Sequence, residues 1–194
     1  MLIKPFEQVI YIERDVTVDS FIPHLRMFNS QLNILLSQPH MHNNVIQQSG
    51  EVISTVERQH ALRSLQGYQE LLNCLYPYFL NARDAIYKHT GNVRVVRSWV
   101  NIMNKGAGGL SHAHKVPGLV GIFYLDAVVD SGKFVVVNDD INLASEEDIP
   151  AVRKHYIDVA PYTFICHNNT LVHAVSRHQA DRPRVSIIFE AMVE

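Results

Sequence analysis

The period of the hydrophobic pattern changes near residue 92, and this change limits the folds open to the chain. Before it, apolar residues recur at helical spacing. Phe21, Ile22, Leu25, Phe28, Leu32 and Leu35 form one stripe; Ala61, Leu62, Leu65, Tyr68, Leu72 and Leu75 form another. Asp19 or Ser20 can cap the first helix. The second is expected over 57–76, with Pro77 breaking or kinking it. A further stripe, Phe79, Ala82 and Ile86, ends by Gly91. Residues 8–13 alternate weakly and read as an early strand, and the His- and Asn-rich stretch 38–52 reads as a loop.

Beyond residue 92 the alternation has period two. Strands are expected at 93–103, 119–125, 133–137, 156–159, 162–167, 171–176 and 184–193. A glycine-rich loop, 104–109, and an acidic loop, 138–153, interrupt them. Such strands behind a helical layer predict a mainly β protein, a sandwich or jelly roll with N-terminal helices packed on one sheet. The expected division is a mainly helical part, 1–92, against a β core, 93–194, together one structural domain. The apolar N-terminal helices could either cover the sheet or pair two subunits as a homodimer.

The chain has 194 residues, 47% hydrophobic and 19% charged, which suits a soluble protein with a real core. Net charge is −2 without a basic run, so no strong nucleic-acid or membrane-surface binding is expected. No apolar stretch is long enough for a membrane helix or a signal core. The two cysteines, Cys74 and Cys166, lie in apolar surroundings and read as free buried thiols in a reducing, cytoplasmic setting.

Eleven histidines are many for this length, so position must select any that carry chemistry. His24, His40, His42, His60, His89, His155, His167 and His178 read as ordinary polar residues. His112 and His114 differ. On a strand, residues i and i+2 share a face, so both could bind one metal ion. They also follow the glycine-rich loop, where the backbone can turn sharply. His173 from a distant strand would complete a three-imidazole face with open positions, the mark of a catalytic rather than a structural site. Alone, His173 reads equally as a buried histidine bonded to a backbone carbonyl. Arg184 and Ser186 share a face of the last strand, and an inward arginine needs an anion. Arg182 competes with Arg184 for that role; Pro183 between them favours Arg184, where the strand begins. Asn101 could hydrogen-bond a ligand or cap the loop, and Tyr124 could line a pocket or pack in the core.

Taken in order, Ser98-Trp99-Val100-Asn101, His112-Ala113-His114, Gly121–Leu125, Ser131–Phe134, Leu171–Val175 and Arg184–Ile187 resemble the iron(II)/2-oxoglutarate-dependent dioxygenases. The closest likeness is to the compact, prolyl-hydroxylase-like branch with bacterial and phage members. The resemblance spans 93–193. It implies a double-stranded β-helix, a cupin-like jelly roll, with Fe(II) at its mouth. It also implies 2-oxoglutarate as cosubstrate and hydroxylation of a small-molecule or peptidyl substrate by O2, with succinate and CO2 as co-products. It assigns His112 and His173 as iron ligands, with His114 where the family usually has Asp. It assigns Arg184 and Ser186 to the cosubstrate carboxylate. The loops 38–52 and 138–153 would form the substrate rim. Two other readings stay open: a cupin-type metalloenzyme that does not use 2-oxoglutarate, and a non-enzymatic β-sandwich binding module.

Overall fold

A computed structural model of the chain describes residues 1–37, 52–56, 61–88, 90–138 and 144–194. Two antiparallel sheets form the body. The larger joins β1 (Leu2–Ile3), β2 (Ile10–Glu13), β9 (Phe164–Asn168), β6 (Leu119–Asp126), β11 (Arg184–Val193), β4 (Val93–Met103) and β3 (Val52–Ser54), in that spatial order. The smaller joins β5 (Gly109–His112), β10 (His173–Val175), β7 (Phe134–Val137) and β8 (Lys154–Ile157). The N-terminal part therefore adds three strands to the larger sheet, besides its helices.

The central strands are apolar on both faces because each face meets a different layer. Leu119, Phe123, Phe164, Ile187 and Phe189 pack with the helices. Val120, Ile122, Tyr124, Ile165 and Ile188 face the smaller sheet and meet Phe134 and Val136. The helical layer is α1 (Ile22–Leu36) and α2 (Tyr68–Tyr87). Neither Asp19 nor Ser20 caps α1; its N-cap is Phe21, with no side-chain cap bond, and Ser20 Oγ lies 3.1 Å from Cys74 Sγ.

The expected helix boundaries move. α2 begins at Tyr68, after Gly67 at φ +89°, where a Cβ would stand 2.5 Å from His24 Cβ. Only glycine takes this turn without strain or collision. Residues 61–64 form a separate 3₁₀ turn. Pro77 does not break the helix, which runs on to Tyr87. Proline lacks the N–H that would reach the Asn73 carbonyl, at a cost of about 3 kcal/mol. Leu71, Leu75 and Phe79 are fully buried on the sheet, each worth roughly 1.5–3 kcal/mol, so packing outweighs the lost bond. Phe79 meets Phe164 and Phe189 edge-on at ring separations of 4.9 and 6.0 Å.

The stretch 38–51, expected as a loop, lies outside the described residues, as do His40, His42, His60 and His89. The acidic stretch carries two 3₁₀ turns, Glu146–Asp148 and Ala151–Arg153, in its described part. No helix among the described residues is long and apolar enough to cross a membrane.

Candidate metal and cosubstrate site

Strand pairing brings the histidines together. His112 on β5 and His173 on β10 are direct cross-strand partners, so their side chains leave the sheet on the same face. Their ring centroids are 4.4 Å apart. His114 stands two residues beyond the end of β5 rather than on it. Its backbone N–H donates to Asn169 O at 2.9 Å, and Asn169 Nδ2 returns a bond to His114 O at 3.3 Å. This clamp turns the His114 ring parallel to His173, 5.3 Å away with a 5° interplanar angle. One ring nitrogen from each of the three lies within 4.8 Å of the others.

The hydrogen bonds also settle the tautomers. His112 Nδ1 faces Leu110 O at 2.8 Å, His173 Nδ1 faces Leu171 O at 3.1 Å, and His114 Nδ1 faces Glu190 Oε1 at 2.8 Å. Every partner accepts, so each Nδ1 carries a proton, and Nε2 is the ring atom left to ligate a metal. Burial, then the neighbouring His114, pushes His112 down to about 4. Burial, then His112, His167 and His114, holds His173 well below its ordinary value. Both rings are therefore neutral at pH 7, the form that ligates metals. Trp99 stacks on His114 at 5.9 Å and Phe134 on His173 at 5.2 Å, which screens the cluster from water.

The same cavity, about 370 Å³, reaches Arg184, Ser186, Asn101 and Tyr124. Arg184 is 2% exposed. It bonds Ser131 O and Gly132 O at 3.3 and 3.5 Å, contacts Met103 Sδ, and lies 5.6 Å over the Tyr124 ring. Its Nε has no partner, and no carboxylate among the described residues pairs with it. Arg182 is exposed and paired with Asp126 at 2.8 Å, so it is not the inward arginine. Ser186 is buried and sits across the strands from Asn101 and Tyr124. Asn101 Oδ1 accepts from Ser54 Oγ at 2.6 Å, a β3 partner that sequence reading did not supply. Burial pushes the Tyr124 hydroxyl up to about 12.

Two residues near the cluster escaped the sequence reading. His167, read as ordinary, is fully buried with its ring 4.8 Å from His173. Its Nδ1 donates to Asn168 O at 2.7 Å, its Nε2 has no partner, and burial drives it down to about 3. Glu190 is the other. It stands at i+6 from Arg184, the same face of β11, and a charge amid Ile187, Ile188 and Phe189 was the available signal.

Comparison with known proteins shows what the chain resembles. Residues 97–190 match the model described as "Putative 2OG-Fe(II) oxygenase". This segment, just under half of the chain, is similar to the 2OG-Fe(II) oxygenase family. No curated protein matches the sequence. Among solved structures it is similar to AviO1 from Streptomyces viridochromogenes Tue57, with a TM-score of 0.64 and 16% identity over 95% of this chain and 89% of that one. It is also similar to a Pseudomonas putida prolyl-4-hydroxylase, with a TM-score of 0.59 and 11% identity over 95% and 92%. A third is HygX from Streptomyces hygroscopicus, solved with nickel, 2-oxoglutarate and hygromycin B, with a TM-score of 0.61 and 12% identity over 93% and 81%. At these identities the likeness concerns the fold. The chain has the double-stranded β-helix, its two sheets closing over the cavity that holds the three imidazoles.

Proposed function

We propose that the chain is an iron(II)- and 2-oxoglutarate-dependent oxygenase that hydroxylates a small-molecule or peptidyl substrate. The overall change is C–H + O2 + 2-oxoglutarate → C–OH + succinate + CO2. One observation carries this reading. Three imidazoles whose ring nitrogens converge, and a buried arginine that pairs with no carboxylate among the described residues, face one cavity. A buried guanidinium without an anion is costly, and a dicarboxylate cosubstrate supplies one.

In this reading His112, His114 and His173 hold the iron, which, when bound, activates O2 for the oxidation. Arg184 binds the far carboxylate of 2-oxoglutarate with a bidentate fork, and Ser186 adds a hydroxyl donor. Asn101 and Tyr124 line the cosubstrate pocket. Trp99 and Phe134 exclude water around the imidazoles. Residues 93–194 form the catalytic core, on which α1 and α2 pack and whose larger sheet β1, β2 and β3 extend. The two free cysteines support a reducing, cytoplasmic setting. The family match favours this reading over the cupin-type and non-enzymatic alternatives.

The test is an anaerobic titration of metal-free protein with iron(II), then 2-oxoglutarate, followed by visible absorption. A charge-transfer band that needs both and is lost in His173→Ala is the expected result. Tight iron binding with no response to 2-oxoglutarate would overturn the cosubstrate assignment.

A further inference from the structure

The three imidazoles are oriented by different kinds of group. His112 and His173 give their Nδ1 protons to backbone carbonyls, of Leu110 and Leu171. His114 alone gives its proton to a carboxylate, Glu190 Oε1, at 2.8 Å. That contact is deeply buried: the His114 and Glu190 side chains are 8% and 6% exposed. A carbonyl would suffice to fix a tautomer. Burying a carboxylate costs several kcal/mol, so its presence calls for a compensating charge. Arg97 lies 3.5 Å from Glu190 Oε2, but its side chain is 44% exposed and the contact is long, a weak partner for a buried anion. The register of β11 against β4 is regular from Arg184 to Glu190 and shifts only after it, so alternation along the strand places the Glu190 side chain on the cavity face where it meets His114.

We propose that Glu190 is a positioning residue of the metal centre. It holds the His114 ring so that Nε2 faces His112 and His173, and it supplies, one hydrogen bond away, the negative charge that three neutral imidazoles lack. This inference rests on the metal reading of the three histidines. A divalent ion there would carry its full +2 charge on the ring nitrogens alone. A carboxylate on the far side of one ring raises that ring's basicity and offsets part of the charge. Glu190 also lines the cavity, so its field reaches any cation held there. A purely structural Glu190 would serve the fold through Arg97 and leave the metal's properties unmoved.

The experiment uses the full chain, stripped of metal, as wild type, His173→Ala, Glu190→Gln and Glu190→Ala. Cobalt(II) is titrated and read by its visible d–d absorption, and the midpoint potential of the iron-loaded protein is measured without 2-oxoglutarate. Glu190→Ala is expected to weaken cobalt binding by roughly 10–100-fold. Glu190→Gln, whose amide oxygen can still accept from His114, is expected to bind cobalt better than Glu190→Ala. Because it also loses the charge, its iron potential should rise above wild type. If both variants match wild type in affinity, d–d spectrum and potential while His173→Ala loses cobalt, the Glu190 assignment is wrong and the triad stands. If wild type binds no cobalt, or His173→Ala binds it equally well, the triad reading falls and takes this inference with it. Circular dichroism checks each fold; should Glu190→Ala not fold, the isosteric Glu190→Gln decides through its potential.

Discussion

Replacing Arg184 by Met should have two effects of opposite sign, and the structure sets the size of each. In the free protein the guanidinium is buried, its Nε is unpartnered, and its carbonyl contacts to Ser131 and Gly132 are long at 3.3 and 3.5 Å. Removing it relieves a desolvation penalty and loses little bonding, so the unliganded variant should melt at or above wild type. With 2-oxoglutarate the balance reverses, because the ligand carboxylate then lies buried without a counter-charge. Truncating one side of such a pair costs about 3 kcal/mol, which weakens binding by about 10²-fold. At a cosubstrate concentration 100 times the wild-type Kd, wild type gains about 2.7 kcal/mol and the variant about 0.4 kcal/mol. For a chain of this length 1 kcal/mol moves Tm by about 2–4 °C. Wild type should therefore rise by roughly 5–10 °C and Arg184→Met by about 1 °C. Thermal melts with saturating cobalt(II), with and without 2-oxoglutarate, measure both effects. A variant that keeps the full shift, or that loses about 3 kcal/mol when unliganded, would refute the reasoning, since Arg184 would then be a structural strut.

Gly118→Ala should destabilise the fold by at least about 2 kcal/mol, because φ is +128° there and the new Cβ would meet Ala191 O at 2.1 Å; a lower urea midpoint at unchanged slope checks it. Cys166 should resist iodoacetamide in the native protein and react only on unfolding, since it is fully buried and burial pushes its thiol up. Peptide mapping by mass spectrometry reads this, and fast native labelling at Cys166 would contradict the packing.

The longest strands were the most readable. Residues 93–103 and 184–193 are strands with the expected ends, and 119–126 exceeds expectation by one residue. The inward arginine was readable too, because Pro183 marks where the strand starts and leaves Arg182 outside on Asp126. Helix ends were harder. Pro77 argues locally for a break, and only the sheet that buries Leu71, Leu75 and Phe79 overrules it. The start at Tyr68 depends on Gly67 fitting against His24, a contact between elements far apart in sequence. The short edge strands β1 and β3 have too few residues to show a period. Glu190 and His167 stayed hidden for another reason. Their partners, His114 and His173, arrive through pairing of other strands, and single-sequence periodicity does not encode which strands meet.

On β11, Arg184 and Glu190 are separated by six positions, about 20 Å of extended chain, and both point into the cavity. Between them Ile187 and Phe189 point the other way, into the helical layer. The two charged side chains are thus locked in phase along one rod, with Ser186 and Ile188 on the same side. A one-residue insertion anywhere from 185 to 189 would leave Arg184 where it is and rotate Glu190 toward Phe79 and Phe164. The result would be a carboxylate among aromatic rings, a folding defect before it is a catalytic one. Changes of length in this strand are therefore screened out at the level of folding, and variation in the distance between its two charged ends is available only by whole two-residue steps.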